Sequence, residues 1–156
     1  MMIRDIHKAI IASLLIGLPL LSFAKRYDVT LPEVASCLKT AQPGDQIYIK
    51  DGQYKDMQLK WMGKGTEKSP ISIKALNPGK VKIEGGSTLR IAGEWISVDG
   101  LYFTDGYAPK GSVIEFRNGQ ELANHCRLTN CVIDKFNPSR RDQAYSYILL
   151  YGRHNR

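Results

Sequence analysis

The chain has little that would arm or staple a small protein covalently. It carries three cysteines, Cys37, Cys126 and Cys131, and an odd number cannot complete a disulfide framework. Cys126 and Cys131 fall on the inward rhythm of a strand pattern, which favours buried free thiols, although an exported chain leaves a bridge open. Its three histidines, His7, His125 and His154, show no partner in the sequence. His125-Cys126 with Cys131 offers too few ligands at poor spacing for a metal. No G-x-S-x-G elbow is present and no acidic run has the form of a calcium loop. No catalytic residue and no metal ligand is therefore assigned. Asp134 and Glu115 are carboxylates that nothing in the sequence singles out.

Long apolar runs are also scarce. Ala9–Leu21 stands alone, and it is short for a bilayer span. Arg4 and Lys8 precede it, diluted by Asp5, and Ser22-Phe23-Ala24 follows with small residues where a signal peptidase reads. We read residues 1–24 as a secretory signal cleaved after Ala24, with an N-terminal membrane anchor as the other reading. No cysteine follows the run to make a lipoprotein anchor, and no later segment can span a membrane as a helix. Residues 25–156 then form one domain with a modest core. The expected location is periplasmic or secreted.

Acidic charge is in the minority. The formal net charge is +7, and removing a leader with two cations and one carboxylate leaves +6. An exported basic protein meets an acidic polymer more readily than nucleic acid. A solvated basic surface without a partner is the bland alternative.

What the chain does have is a repeat. WISVDGLYFTDG (Trp95–Gly106) returns as CRLTNCVIDKF (Cys126–Phe136). Val98 corresponds to Leu128, Gly100 to Asn130, Leu101 to Cys131 and Phe103 to Ile133. Gly and Asn enter the left-handed region most easily, so each marks a corner that turns a strand without a hairpin. Short strands joined by such corners predict stacked coils. Further short alternating strands are expected at Gln46–Lys50, Ile71–Ala75, Val81–Glu84, Leu89–Ala92, Val113–Phe116 and Tyr147–Tyr151. Asp51-Gly52 and Asn77-Pro78-Gly79 read as turns. Arg117-Asn118-Gly119-Gln120 is the nearest hairpin candidate, but Glu121–Asn124 does not read as a strand. A parallel β-helix is preferred to a sandwich.

Thr30-Leu31-Pro32-Glu33 has the form of a capping box. Leu31, Val34, Ala35, Leu38 and Ala41 then share one helical face, and Pro43-Gly44-Asp45 ends the segment. Such a helix suits a lid on the first coil, where apolar surface and strand edges would otherwise be open.

Two loops hold candidate binding residues. Lys55, Lys60, Lys64 and Lys68 surround Trp61, as a sugar groove would require; a long solvated connection with one anchoring Trp is the preferred reading. Arg140 and Arg141, with Tyr145 and Tyr147 nearby, form the expected substrate contact, because Arg grips carboxylates bidentately. A purely structural loop is the alternative.

PGDQIYIKDGQY (Pro43–Tyr54), SPISIKA (Ser69–Ala75), WISVDGLYFTDG and ILLYGRHNR (Ile148–Arg156), in this order after the helix, resemble the N-terminal part of the polysaccharide lyase family that contains chondroitinase B and alginate lyases. The resemblance implies a right-handed parallel β-helix and a secreted or periplasmic enzyme. It implies β-elimination on a uronic-acid polymer, with Ca²⁺ on the uronate carboxylate, a Lys as base and an Arg assisting. Ca²⁺ is thus expected for the full-length family enzyme. Members of the family are several times longer, and those catalytic positions lie on later coils. The resemblance therefore implies a fold and a parent activity but no catalytic residue here, and the chain reads as an N-terminal fragment with its C-terminal coils missing. A small secreted β-helix module that binds an acidic glycan without chemistry is the rival reading.

Overall fold

The computed structural model describes residues 24–138, 140, 142 and 144–156. The leader expected at 1–24, apart from Ala24, lies outside the described residues, and so does Arg141.

Strand β1 (Arg26–Val29) leads through a 3-10 turn (Leu31–Glu33) into helix α1 (Val34–Leu38). Strands β2 (Gln46–Ile49), β3 (Gly52–Lys55) and β4 (Gln58–Lys64) then make one turn of a solenoid. The next turn is β5 (Ile71–Ala75), β6 (Val81–Gly86) and β7 (Thr88–Glu94). It is followed by β8 (Ile96–Asp99), β9 (Leu101–Tyr107), β10 (Ser112–Glu115), β11 (Arg117–Asn118) and β12 (Glu121–Asn124). The last strands are β13 (Arg127–Thr129), β14 (Val132–Phe136) and β15 (Ser146–Leu149).

Each turn visits three sheets in the same order. The first sheet stacks β1-β2-β5-β8-β13 and the second β3-β6-β9-β14. In the third, β4 pairs with β7, and β7 pairs with both β10 and β12. Among the described residues the antiparallel pair is β11–β12; the other strand pairs are parallel. Parallel pairing between successive turns is what separates a β-helix from a sandwich. The handedness rule for parallel crossovers gives the right-handed sense.

Alternation decides which side chains enter the tube. In the first sheet Ile47, Ile73, Val98 and Leu128 lie in register across four strands. In the third, Leu59, Leu89 and Ile114 do the same across three strands, with Ile148 in register beyond them on the edge strand but exposed. Each fully buried Ile or Leu contributes about 1.5–3 kcal/mol, and the stacked columns form one continuous core. The repeat read from the sequence is the observed register: Leu128 faces Val98 and Ile133 faces Phe103. Both corners are left-handed, Gly100 at φ 80° and Asn130 at φ 51°. Asp99 braces the second corner by accepting from Thr129 Oγ1 at 2.6 Å and from Asn130 Nδ2 at 2.8 Å.

The capping helix forms with the expected face. Leu31, Val34 and Leu38 are buried, and α1 lies against β4 at the end of the tube. Glu33 reaches back to accept from the Thr30 backbone N–H and hydroxyl, both at 2.7 Å. These two bonds hold its carboxyl below the usual range.

Four details differ from the sequence reading. Arg26–Val29 is a strand, tied to β2 by Asp45, whose carboxylate accepts from the backbone N–H groups of Lys25 and Gln42. Gly52, read as a turn residue, already opens β3. The supposed solvated connection around Trp61 is strand β4, with Leu59 and Trp61 inside and Lys60 and Lys64 outside. Glu121–Asn124 is a strand, because the Asn118–Gly119 turn folds it back on β11 while β7 supplies its parallel partner.

Candidate functional site

Because the third sheet alternates, the residues facing out of it come into line. Lys60, Arg90, Glu115 and Leu149 lie in register across β4, β7, β10 and β15. The Glu115 carboxylate sits between Arg90 Nε and Arg117 Nη2, each at 3.1 Å. Arg90 also donates to the Ser112 carbonyl at 3.0 Å. Arg117 lies over the Tyr151 ring at 4.1 Å. This network shapes a cleft of about 480 Å³ with Gln58, Lys60, Lys110 and Tyr151 in its wall. Lys60, Arg90, Lys110 and Arg117 face a single carboxylate, Glu115, so the cleft attracts anions. Removing Glu115 would leave two guanidinium groups repelling each other. The ion pair therefore holds the cleft in shape rather than supplying its charge.

A second cleft, of about 450 Å³, lies where the third sheet turns into the first. Trp95, His125 and His154 occupy the same corner of successive turns. The Trp95 and His125 rings stack at 4.1 Å with an interplanar angle of 10°, and His125 and His154 at 4.7 Å and 17°. The two histidines that showed no partner in the sequence have each other and Trp95. Ring stacking between residues this far apart in the chain has no local sequence signal.

The expected substrate contacts lie elsewhere. Arg140 is exposed and paired with Asp142, whose carboxyl it holds below the usual range. The Tyr145 hydroxyl donates to the Phe136 carbonyl at 2.9 Å and accepts from the Ala108 N–H at 3.2 Å. Burial pushes that phenol up. Neither residue lines either cleft. Trp61, the proposed anchor, is fully buried, and its indole N–H has no partner.

Cys126 and Cys131 are free thiols, and burial pushes Cys131 up to about 11. A neutral, enclosed thiol of this kind is packing rather than a nucleophile. Among the described residues no three His, Cys, Asp or Glu side chains converge as a metal site, and no helix is long and apolar enough to cross a membrane.

Comparison with known proteins gives this geometry a context. The family model described as Chondroitinase B matches residues 30–156. A PL6 family alginate lyase, AlyGC, is 42% identical with a TM-score of 0.79, over 83% of this chain and 18% of its own. A mannuronic acid specific polysaccharide family 6 lyase from human gut microbiota is 32% identical with a TM-score of 0.73, over 84% of this chain and 32% of its own. The PL6 polysaccharide lyase Pedsa3628 from Pseudopedobacter saltans is also 32% identical, over 84% and 29%. A comparison with curated proteins found no match. The chain thus spans less than a third of the length of these solved relatives. The matched segment holds the cap helix and every strand from β2 to β15, and by it this chain belongs to the chondroitinase B family of polysaccharide lyases.

Proposed function

We propose that this chain is part of a secreted or periplasmic polysaccharide lyase that cleaves a uronic-acid polymer, alginate or a chondroitin/dermatan-type chain, by β-elimination. The 42% identity to an alginate lyase over most of the chain carries the reading. Within it, the described residues hold and steer the polymer rather than break it. Lys60, Lys110 and Arg117 draw the polyanion to the third-sheet cleft, while the Glu115–Arg90 pair fixes Arg117. The leader expected at residues 1–24 from the sequence supports export.

β-Elimination removes a proton from the carbon beside an ionised carboxylate, which places a second charge on the same group. The reaction therefore needs a cation aimed at that carboxylate and a neutral base beside the carbon. The Ca²⁺ expected for the full-length enzyme would supply the cation. The described residues do not fit it, since no three His, Cys, Asp or Glu side chains converge among them to supply the carboxylate donors Ca²⁺ takes.

The test is direct. Pure protein with Ca²⁺ is mixed with alginate, polymannuronate or dermatan sulfate, and the ultraviolet absorbance of the unsaturated product is followed. No growth is expected. In parallel, a native gel cast with alginate should retard the protein where one cast with a neutral glucan does not. Steady absorbance growth would show that the chemistry is in this chain. Equal mobility in the two gels would remove the holding role.

A further inference from the structure

We infer that the cleft along the Trp95–His125–His154 ladder is a second glycan site, which takes one carboxylated sugar unit of the same polymer class. Naming a uronate rests on the lyase reading above.

The placement comes from coil pairing. Trp95 directly precedes β8, His125 lies two residues before β13, and His154 holds the same corner on the next turn; each is left-handed, at φ 53°, 54° and 55°. Two residues further on, Ser97 pairs with Arg127. Arg156 donates to the Cys126 carbonyl and accepts from the Leu128 N–H, at 3.1 and 2.7 Å, which sets it beside Arg127. One strand spacing, about 4.8 Å, separates the two backbones. Both arginines are exposed and line the cleft, with Ser97 and Glu67 as further polar groups.

These arginines, like Arg153 and unlike the other described arginines, have no carboxylate partner among the described residues, and of the three only Arg127 and Arg156 line the cleft. Arg26, Arg90, Arg117 and Arg140 each have a carboxylate partner. Among the described residues Arg127 and Arg156 make no ion pair, and the ring nitrogens of Trp95, His125 and His154 make no hydrogen bond. Two adjacent free guanidinium groups can grip one carboxylate bidentately. Ring N–H edges can donate to hydroxyls, and Ser97 or Glu67 can accept from them.

Stability alone does not account for the ladder. A bulky residue held left-handed is strained, and stacking between neighbouring rings offsets that strain only in part. At the other corner the same backbone conformation is carried by Gly100 and Asn130. A left-handed aromatic ladder thus gains little as a staple, but it lines a cleft with donors.

Trp95 reports on the site, because the other tryptophan, Trp61, is fully buried. The full chain is titrated with mannuronate trisaccharide, with cellotriose and with inorganic sulfate, and tryptophan emission is followed. A saturable change with the uronate and none with cellotriose is expected, and Trp95→Phe should abolish it. Arg127→Ala and Arg156→Ala should each weaken binding about tenfold, the scale of a lost charged hydrogen bond. Lys39→Ala, an exposed cation that lines neither cleft, should leave this titration unchanged. Wild-type affinity in both arginine variants would overturn the site, and so would saturation by sulfate at the same concentration. An His125→Ala variant that melts earlier but binds the trisaccharide as tightly would make the ladder structural only, which also overturns it. If the arginine variants bind normally while alginate still retards the protein in the gel, this inference fails and the lyase reading stands. If alginate retards nothing and the trisaccharide does not bind, this inference and the holding role both fail.

Discussion

Asn130 does at one corner what Gly100 does at the same corner one coil earlier: each turns the chain from the first sheet to the second through a left-handed residue. A Cβ on Gly100 would stand 3.1 Å from the Ala75 Cβ. Gly100→Val therefore meets strain at φ 80° as well as crowding, and should destabilise the fold by about 1–3 kcal/mol. Asn130→Gly should cost much less, since Gly takes the same conformation and only an exposed bond to Asp99 is lost. Thermal melts of both variants check this; equal melting of Gly100→Val and wild type would contradict the corner. Gly93 is more constrained still, because at φ 103° its Cβ would collide with the Gly63 carbonyl. The Gly and Asn corners were legible because these residue types favour the conformation by themselves. Trp95, His125 and His154 were not, because Trp does not favour the conformation and a His takes it far less often than Gly does.

At the scale of elements, the cap and most strands followed from periodicity. The helical face of Leu31, Val34 and Leu38 was read correctly, though the α-helical turn itself is only Val34–Leu38. Strand β4 was obscured by its own lysines. The alternation of Leu59 and Trp61 is present, but Lys60 and Lys64 between and after them resemble a solvated loop until β7 is paired alongside. The β11–β12 hairpin was missed because Glu121 and Leu122 are both exposed, which erases any two-residue rhythm. Strand β15 carries a prediction. It pairs with β10 on one side and is an edge of its sheet, and Tyr147, Ile148 and Leu150 are 47%, 45% and 53% exposed. An apolar, β-prone edge of this kind promotes association. Concentration-dependent oligomers are expected by light-scattering chromatography. Leu149→Lys, on the outward row with Lys60, Arg90 and Glu115, should reduce them. A monomer at high concentration that the substitution leaves unchanged would contradict this.

For the whole molecule, the net charge of +7 is the property that most directly bears on a polyanion. Coil stacking brings Lys60, Arg90, Lys110 and Arg117 to one cleft and Arg127 and Arg156 to the other, while further cations lie elsewhere on the surface. Attraction between exposed charges is screened over about 10 Å at 0.1 M salt and about 3 Å at 1 M. Retardation by alginate should therefore fall steeply as salt rises from 0.05 to 0.5 M, on the order of tenfold or more in apparent affinity. Salt-independent retardation would point to contacts other than charge.

The sequence by itself determined the inward alternation, the Gly100 and Asn130 corners, the capping box and, through the order of four motifs, the family. Each of these is written within a dozen or so neighbouring residues or in a repeated pattern of them. Only the tertiary structure decided what stands beside what on the outside of the tube. Thr129 meets Asp99 across 30 residues of chain, and the ladder and the paired arginines arise at the same remove. Core positions are restricted to apolar types and so announce themselves, whereas outward positions tolerate almost any polar residue. Their partners are set by the length of each coil, and changing that length by one residue would shift the stacking of every side chain on the following turn.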